Sequence, residues 1–218
     1  MKRRTLDILF SAGGLGLAVL LLAVGIVLST NANFANTYVR DQLGQQDITF
    51  KTVDTLTAEE KKADCLVEYA GQKMTTGKQA ECYANEFIGL HLKSIAGGQT
   101  YASLGDPQSA LKAQVTEAQK TNDPALADLQ KQLADITAQR ETVFKGETLR
   151  GLLLTSYGFS EFGTKAAQGA FVAYLAAALL ALLSIAGFVH AFRTPGSEAF
   201  AAPERPEPEP ERRSLASV

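Results

Sequence analysis

The chain has no tryptophan, and among its 218 residues only two histidines, two cysteines and two methionines. Each shortage removes a class of chemistry. A structural zinc ion wants four ligands, and Cys65, Cys82 and one distant histidine do not supply them. Nucleophilic catalysis needs a serine or cysteine with a base in reach, and His91 and His190 are the only imidazoles to provide one. Basic residues number 21 against 23 acidic ones, so there is no cationic excess of the kind that binds nucleic acid. No pair of carboxylates stands out as general acid and base. Runs such as Glu59-Glu60-Lys61-Lys62 mix both signs, as solvated helix faces do. A phosphate-cradling glycine loop is also missing, because Gly13-Gly14-Leu15-Gly16 lies inside an apolar run, where glycines serve packing. No catalytic residue, metal or cofactor is expected.

What the chain does have is two long uncharged runs. The first covers 8–28 and, at 1.5 Å per residue, reaches about 30 Å, the thickness of a bilayer's hydrocarbon core. Lys2, Arg3 and Arg4 precede it, which places residues 1–7 in the cytoplasm by the positive-inside rule. A cleaved signal peptide is the rival reading, since Thr30-Asn31-Ala32 resembles a cleavage site, but signal cores are shorter than this run. The second run covers 166–192, between Lys165 and Arg193, and returns the chain to the cytoplasm. Aromatic residues mark the outer boundary: Phe34 and Tyr38 after the first span, then Tyr157, Phe159 and Phe162 before the second. Gly151, Gly158 and Gly163 argue against one rigid helix entering the second span, so 149–162 is expected on or near the membrane surface. Small residues share a face in each span: Gly14, Ala18 and Gly25 in the first, and Gly169, Ala173, Ala177, Ala181, Ser184 and Gly187 in the second. Such faces let helices approach closely, either one span against the other or against a partner. Neither span holds an Asp, Glu, Lys or Arg, and His190, at the cytoplasmic end of the second, reads as interfacial.

Residues 29–165 form the extracytoplasmic segment. Thr57-Ala58-Glu59-Glu60 and Thr76-Gly77-Lys78-Gln79 are capping boxes, predicting helices to about Ala70 and to Gly97-Gly98. Asp106-Pro107 and Asp123-Pro124 each put a capping acid before proline, predicting helices to about Thr121 and Phe144. On the second helix, Ala80, Tyr83, Ala84, Phe87, Leu90, His91 and Ile95 fall on one face at 3.6-residue spacing. His91 at its centre is expected as a packed core histidine, with a pocket lined by His91, Tyr83 and Phe87 as the other reading. Leu126, Leu129, Leu133, Ile136 and Val143 make the stripe of the fourth helix, interrupted by Arg140. Ile48-Thr49-Phe50 is the one hint of strand. Cys65 and Cys82 would face an oxidising compartment, which favours a disulfide. Both lie opposite the apolar stripes, so free thiols or an intermolecular bond stay open. The fold class is an all-α membrane protein, with two transmembrane helices flanking an extracytoplasmic helical bundle. Residues 193–218, rich in alternating proline and glutamate, read as a disordered cytoplasmic tail, with a docking peptide as the alternative.

Three stretches carry a family resemblance: Tyr69-Ala70-Gly71-Gln72, Thr76-Gly77-Lys78-Gln79-Ala80-Glu81-Cys82-Tyr83-Ala84-Asn85, and Gly146-Glu147-Thr148-Leu149-Arg150-Gly151-Leu152-Leu153-Leu154. They resemble segments of an actinobacterial family of two-span membrane proteins, often called aromatic ring-opening dioxygenases. The resemblance runs from the first span through the second, and 104–139 is longer than the family pattern, as a helical insertion would be. It implies an actinobacterial plasma-membrane setting. The dioxygenase activity is a poor fit: non-haem iron needs two histidines and a carboxylate together, and the expected topology puts a membrane between His91 and His190.

The expected function is a non-catalytic interaction or accessory subunit of an envelope or membrane complex. Its expected partners are membrane lipids and another membrane or envelope protein, or a second copy of itself. A ligand-binding or sensory protein is the alternative, and an enzyme the remote one. The topology has a direct check. With the native cysteines bridged, a Lys120→Cys thiol should react with an impermeant maleimide on intact cells, and a Ser214→Cys thiol only after permeabilisation.

Overall fold

The computed structural model describes residues 3–195, so the proline–glutamate tail lies outside the described residues. The described chain is helical: α1 Arg3–Gln45, α2 Asp64–Glu68, α3 Gly77–Cys82, α4 Gly89–Ile95, α5 Gly105–Thr121 and α6 Leu126–Arg193. Single 3-10 turns occupy Val53–Thr55 and Glu60–Lys62, and a π-helical segment, Tyr83–Ile88, joins α3 to α4. Of the expected strand only an isolated bridge between Thr49 and Lys73 forms, with Phe50 N–H bonded to the Gln72 carbonyl at 2.9 Å. The chain divides into two compact units, one holding 3–26 and 170–195 among the described residues, the other Val27–Gly169.

In the first unit, α1 and α6 are each long and apolar enough to cross a membrane. Their contact uses the small-residue faces. A methyl group on Gly14 would meet the Ser184 hydroxyl at 2.6 Å, one on Gly187 would collide with the Ser11 hydroxyl, and one on Gly25 would meet the Tyr174 ring at 2.6 Å. Ala18, Ala173 and Ala177 are buried between them, and Ala181 is half-buried. Large apolar side chains point outward instead, among them Phe10, Val19, Leu20, Phe171 and Leu182. A soluble helix pair would turn those groups inward. His190 Nδ1 lies 3.1 Å from an Asp7 carboxylate oxygen, and Arg4 sits over the Phe192 ring.

The second unit corrects two boundaries. The fourth predicted helix does not stop near Phe144, and 149–162 is not a separate surface segment: both belong to α6, a single unbroken helix. Gly146 and Gly163 sit where other elements come close, against Leu92 and against Ala35 and Asn36. Gly151 and Gly158 meet nothing within 4 Å, and each lowers helix propensity by only about 1 kcal/mol, too little to break a helix packed on both sides. The helix predicted over 57–70 is also shorter than expected. The Thr57–Glu60 box forms, with Glu60 N–H bonded to the Thr57 hydroxyl at 3.1 Å, but it opens a 3-10 turn and the five-residue α2. The second box is complete at Thr76 and Gln79, and α3 starts there. Gly71, Gly97 and Gly98 take positive φ, as expected of helix stops.

The main core gathers Val39, Leu43, Phe50, Leu56, Leu66, Met74, Ala80, Ala84 and Leu153, with Cys82 among them. Cys65 and Cys82 are joined in a disulfide, with Cα atoms 6.1 Å apart. The apolar stripes therefore do not keep them apart: Cys82 is itself core, and α2 is short enough to bring Cys65 alongside. A loop of this length contributes about 3 kcal/mol by restricting the unfolded chain. A separate small cluster of Ala96, Leu104 and Val143 packs the segment before α5 against the early part of α6. Arg140, the break in that stripe, is satisfied there. Its Nε donates to the Tyr101 carbonyl, one terminal nitrogen donates to Gln108 at 2.7 Å, and the guanidinium covers the Tyr101 ring.

Two glycines should respond in opposite directions to one added methyl. Gly77 faces the Ser160 Cβ and, at 3.2 Å, the Tyr157 backbone, so Gly77→Ala should destabilise by about 1–3 kcal/mol. Gly151→Ala, mid-helix and unobstructed, should stabilise by about 0.5–1 kcal/mol. Thermal unfolding of the detergent-solubilised full chain reads both.

Candidate functional site

The π-helical segment sets the site. An α-helix repeats every 3.6 residues, and a π turn inserts extra chain, rotating everything after it. Up to the first turn of the segment the predicted face holds, with Ala80 and Ala84 buried. After it the buried positions are Leu92 and Ala96, one residue beyond the predicted His91 and Ile95. His91 is thus not a core histidine: its side chain is 48% exposed. Its Nδ1 lies 2.7 Å from the Phe87 carbonyl, and its ring packs on that of Phe87 with centroids 4.5 Å apart. A 3.6-residue period carried straight across 83–88 could not have found this shift.

Tyr83 and Phe87 line an apolar groove of this unit, and His91 does not. The groove has a volume of about 740 Å³, within the usual range for sites that hold small molecules. One wall is α1, through Tyr38, Val39, Gln42, Leu43 and Gln46; the other is α6, through Leu149, Leu152, Leu153, Ser156 and Phe159. Tyr83, Phe87 and Ile88 come from the π segment, whose wider turn aims both rings between the two long helices. The polar lining consists of uncharged groups: Gln42, Gln46, Thr155, Ser156 and two phenols. Burial pushes the Tyr83 phenol up, which keeps it protonated and neutral. No charged side chain among the described residues lines the groove. Sequence reasoning missed the α1 and α6 walls, although Val39, Gln42, Leu43 and Gln46 recur at helical spacing on one side and Leu149, Leu152, Leu153 and Ser156 on the other.

A polar cluster stands beside the groove's Phe87. Glu60, 3% exposed, accepts from Lys51 Nζ at 2.8 Å and from the Thr57 amide at 2.7 Å, and His91 Nε2 lies 3.8 Å away. Lys51 also sits over the Phe87 ring. Burial disfavours the Glu60 carboxylate, but hydrogen bonds from Lys51 and Thr57, with the Lys51 charge, outweigh it and hold the carboxyl below its usual range. Every oxygen is engaged in tying 51, 57 and 60 together, so the cluster serves structure. Among the described residues no three His, Cys, Asp or Glu side chains converge as a metal site.

Because its folded pKa is depressed, Glu60 contributes stability that is fully present above its ordinary value of 4.5 and is lost as pH falls through the folded value. Glu60→Gln should therefore cost about 1–3 kcal/mol near pH 7. It should also flatten the fall in unfolding temperature below pH 4.5, which a thermal melt series over pH 3–7 would record.

Compared with family models, with curated proteins and with solved structures, the chain matches none, so its functional reading rests on this geometry.

Proposed function

We propose that the protein is a non-catalytic, two-span plasma-membrane protein whose extracytoplasmic helical domain binds an apolar ligand in the groove between α1 and α6. Both termini lie in the cytoplasm in this reading, as the basic residues at positions 2–4 and 193 suggest. The disulfide fits an oxidising compartment for the domain. The observation that carries the reading is the groove itself, with its apolar walls, its few uncharged polar groups and its freedom from charge. Groups of that kind orient a ligand by single hydrogen bonds while hydrophobic contact supplies the affinity.

A protein-partner role drew its strength from the small-residue stripes of the spans. Those stripes are occupied by each other, at Gly14 with Ser184 and at Gly187 with Ser11. What remains in favour of an accessory subunit is the exposed Phe144 on α6, outside the groove. Ligand binding is the stronger reading because the groove is shaped and walled on two sides, whereas the Phe144 surface is two exposed rings, Phe144 against Tyr101.

Gentle purification of the tagged full chain from native membranes, followed by native mass spectrometry, tests it. One small apolar molecule per chain is expected, retained by the wild type and lost from a Ser156→Trp variant that fills the groove. A stoichiometric protein partner, held equally by both forms and with no small molecule, would overturn the reading in favour of an accessory subunit.

A further inference from the structure

The membrane-proximal end of the groove is marked by two aromatic residues, Tyr38 from α1 and Phe159 from α6. Their rings meet edge to face at 5.9 Å, and Phe34 joins them, 5.8 Å from Tyr38 and 6.2 Å from Phe159. All three are exposed, as is Phe162 one turn further along α6. Along the helices, Phe34 and Phe162 stand about 9 and 6 Å beyond the apolar runs that end at Leu28 and begin at Ala166. The headgroup layer of one leaflet is about 5–8 Å deep, so these two side chains belong at its outer edge. The aromatic trail therefore begins where a membrane surface would be and ends inside the groove, with no charged side chain among its members.

We propose, resting on the ligand-binding reading above, that the groove's ligand is the hydrocarbon chain of a lipid from the outer leaflet, admitted past Phe34, Tyr38 and Phe159. Three observations select this occupant. A charged or strongly polar metabolite would find no counter-charge in the lining. An extended peptide would need partners for its own amides, and four small polar side chains on two helices offer no ladder of them. A hydrocarbon chain needs neither, and the exposed rings give it continuous apolar contact between bilayer and groove. Gln42 and Gln46 at the α1 wall are placed to meet a carbonyl or hydroxyl of the lipid once its chain is seated.

The absence of tryptophan makes a clean experiment possible, because one introduced indole is the only one in the chain. Leu149 lines the groove about 25 Å along α6 from Ala166, far above any chain that stays in the bilayer. Lys145 is at a similar height on the same helix and does not line the groove. The full-length variants Leu149→Trp and Lys145→Trp are placed in nanodiscs of palmitoyl-dibromostearoyl-phosphatidylcholine, whose bromines quench indole on contact. The Leu149→Trp protein should lose most of its fluorescence and the Lys145→Trp protein little, with Ser156→Phe in the Leu149→Trp background restoring the signal. Leu152→Trp serves as a second groove reporter should Leu149→Trp lose its helical circular dichroism. Equal quenching at both heights would mean that the domain lies on the bilayer, and would overturn the proposal. So would unquenched groove reporters in a protein that still binds one equivalent of the soluble apolar probe phenylnaphthylamine; the groove would then take its ligand from water, leaving the ligand-binding reading intact. If neither bromine quenching nor probe binding occurs, that reading falls as well.

Discussion

Helices approach one another most closely where one of them carries no side chain, and in this protein each compact unit is held at such places. In the unit 27–169 α3 reaches Ser160 through Gly77, Leu92 of α4 seats on Gly146, and Ala35 of α1 meets Gly163. In the unit of the two long apolar stretches the same device pairs Gly14 with Ser184, Gly187 with Ser11, and Gly25 with Tyr174. Dispersion attraction falls steeply with separation, so a methyl costs most where the neighbour is rigid, at Gly77 against Ser160 Cβ and the Tyr157 backbone and at Gly163 against Ala35 Cβ. The glycines cost helix propensity, yet the packing they permit returns more than that.

Close contact in one place leaves a groove in another. With α1 and α6 drawn together at Ala35 and Gly163, large residues further along both helices hold the walls apart. The π segment then places Tyr83 and Phe87 across the opening. Helical irregularities of this type recur at functional positions because they are locally unfavourable and persist only where tertiary packing supports them. Here the segment performs two tasks in one turn: it sends two rings into the groove, and it moves His91 out of the core to a place beside Glu60.

The long apolar runs, the Thr76 box, the stop at Gly97-Gly98 and the α5 boundaries were legible because each depends on a few neighbouring residues. The continuity of α6 was not. Gly151, Gly158 and Gly163 look like breaks when only local propensity is counted, and the packing that supports the helix comes from residues far away in sequence. His91 was misplaced for a similar reason, since the register shift at 83–88 has no compositional mark. The groove needed both long helices in place, and its two walls lie more than a hundred residues apart along the chain.

The two apolar clusters of the unit 27–169 are unequal in size. The larger one is closed by a disulfide and includes Leu153 of α6, while the smaller rests on Ala96, Leu104 and Val143. Cooperative stability follows buried apolar contact, so it is not uniform along α6. The turns after Leu126 and α5 pack through this smaller cluster and through Val115 and Ala118, whereas the turns around Leu153 belong to the main core. A single continuous helix thus serves two apolar clusters of unequal size, and its share of cooperative protection is graded along its length.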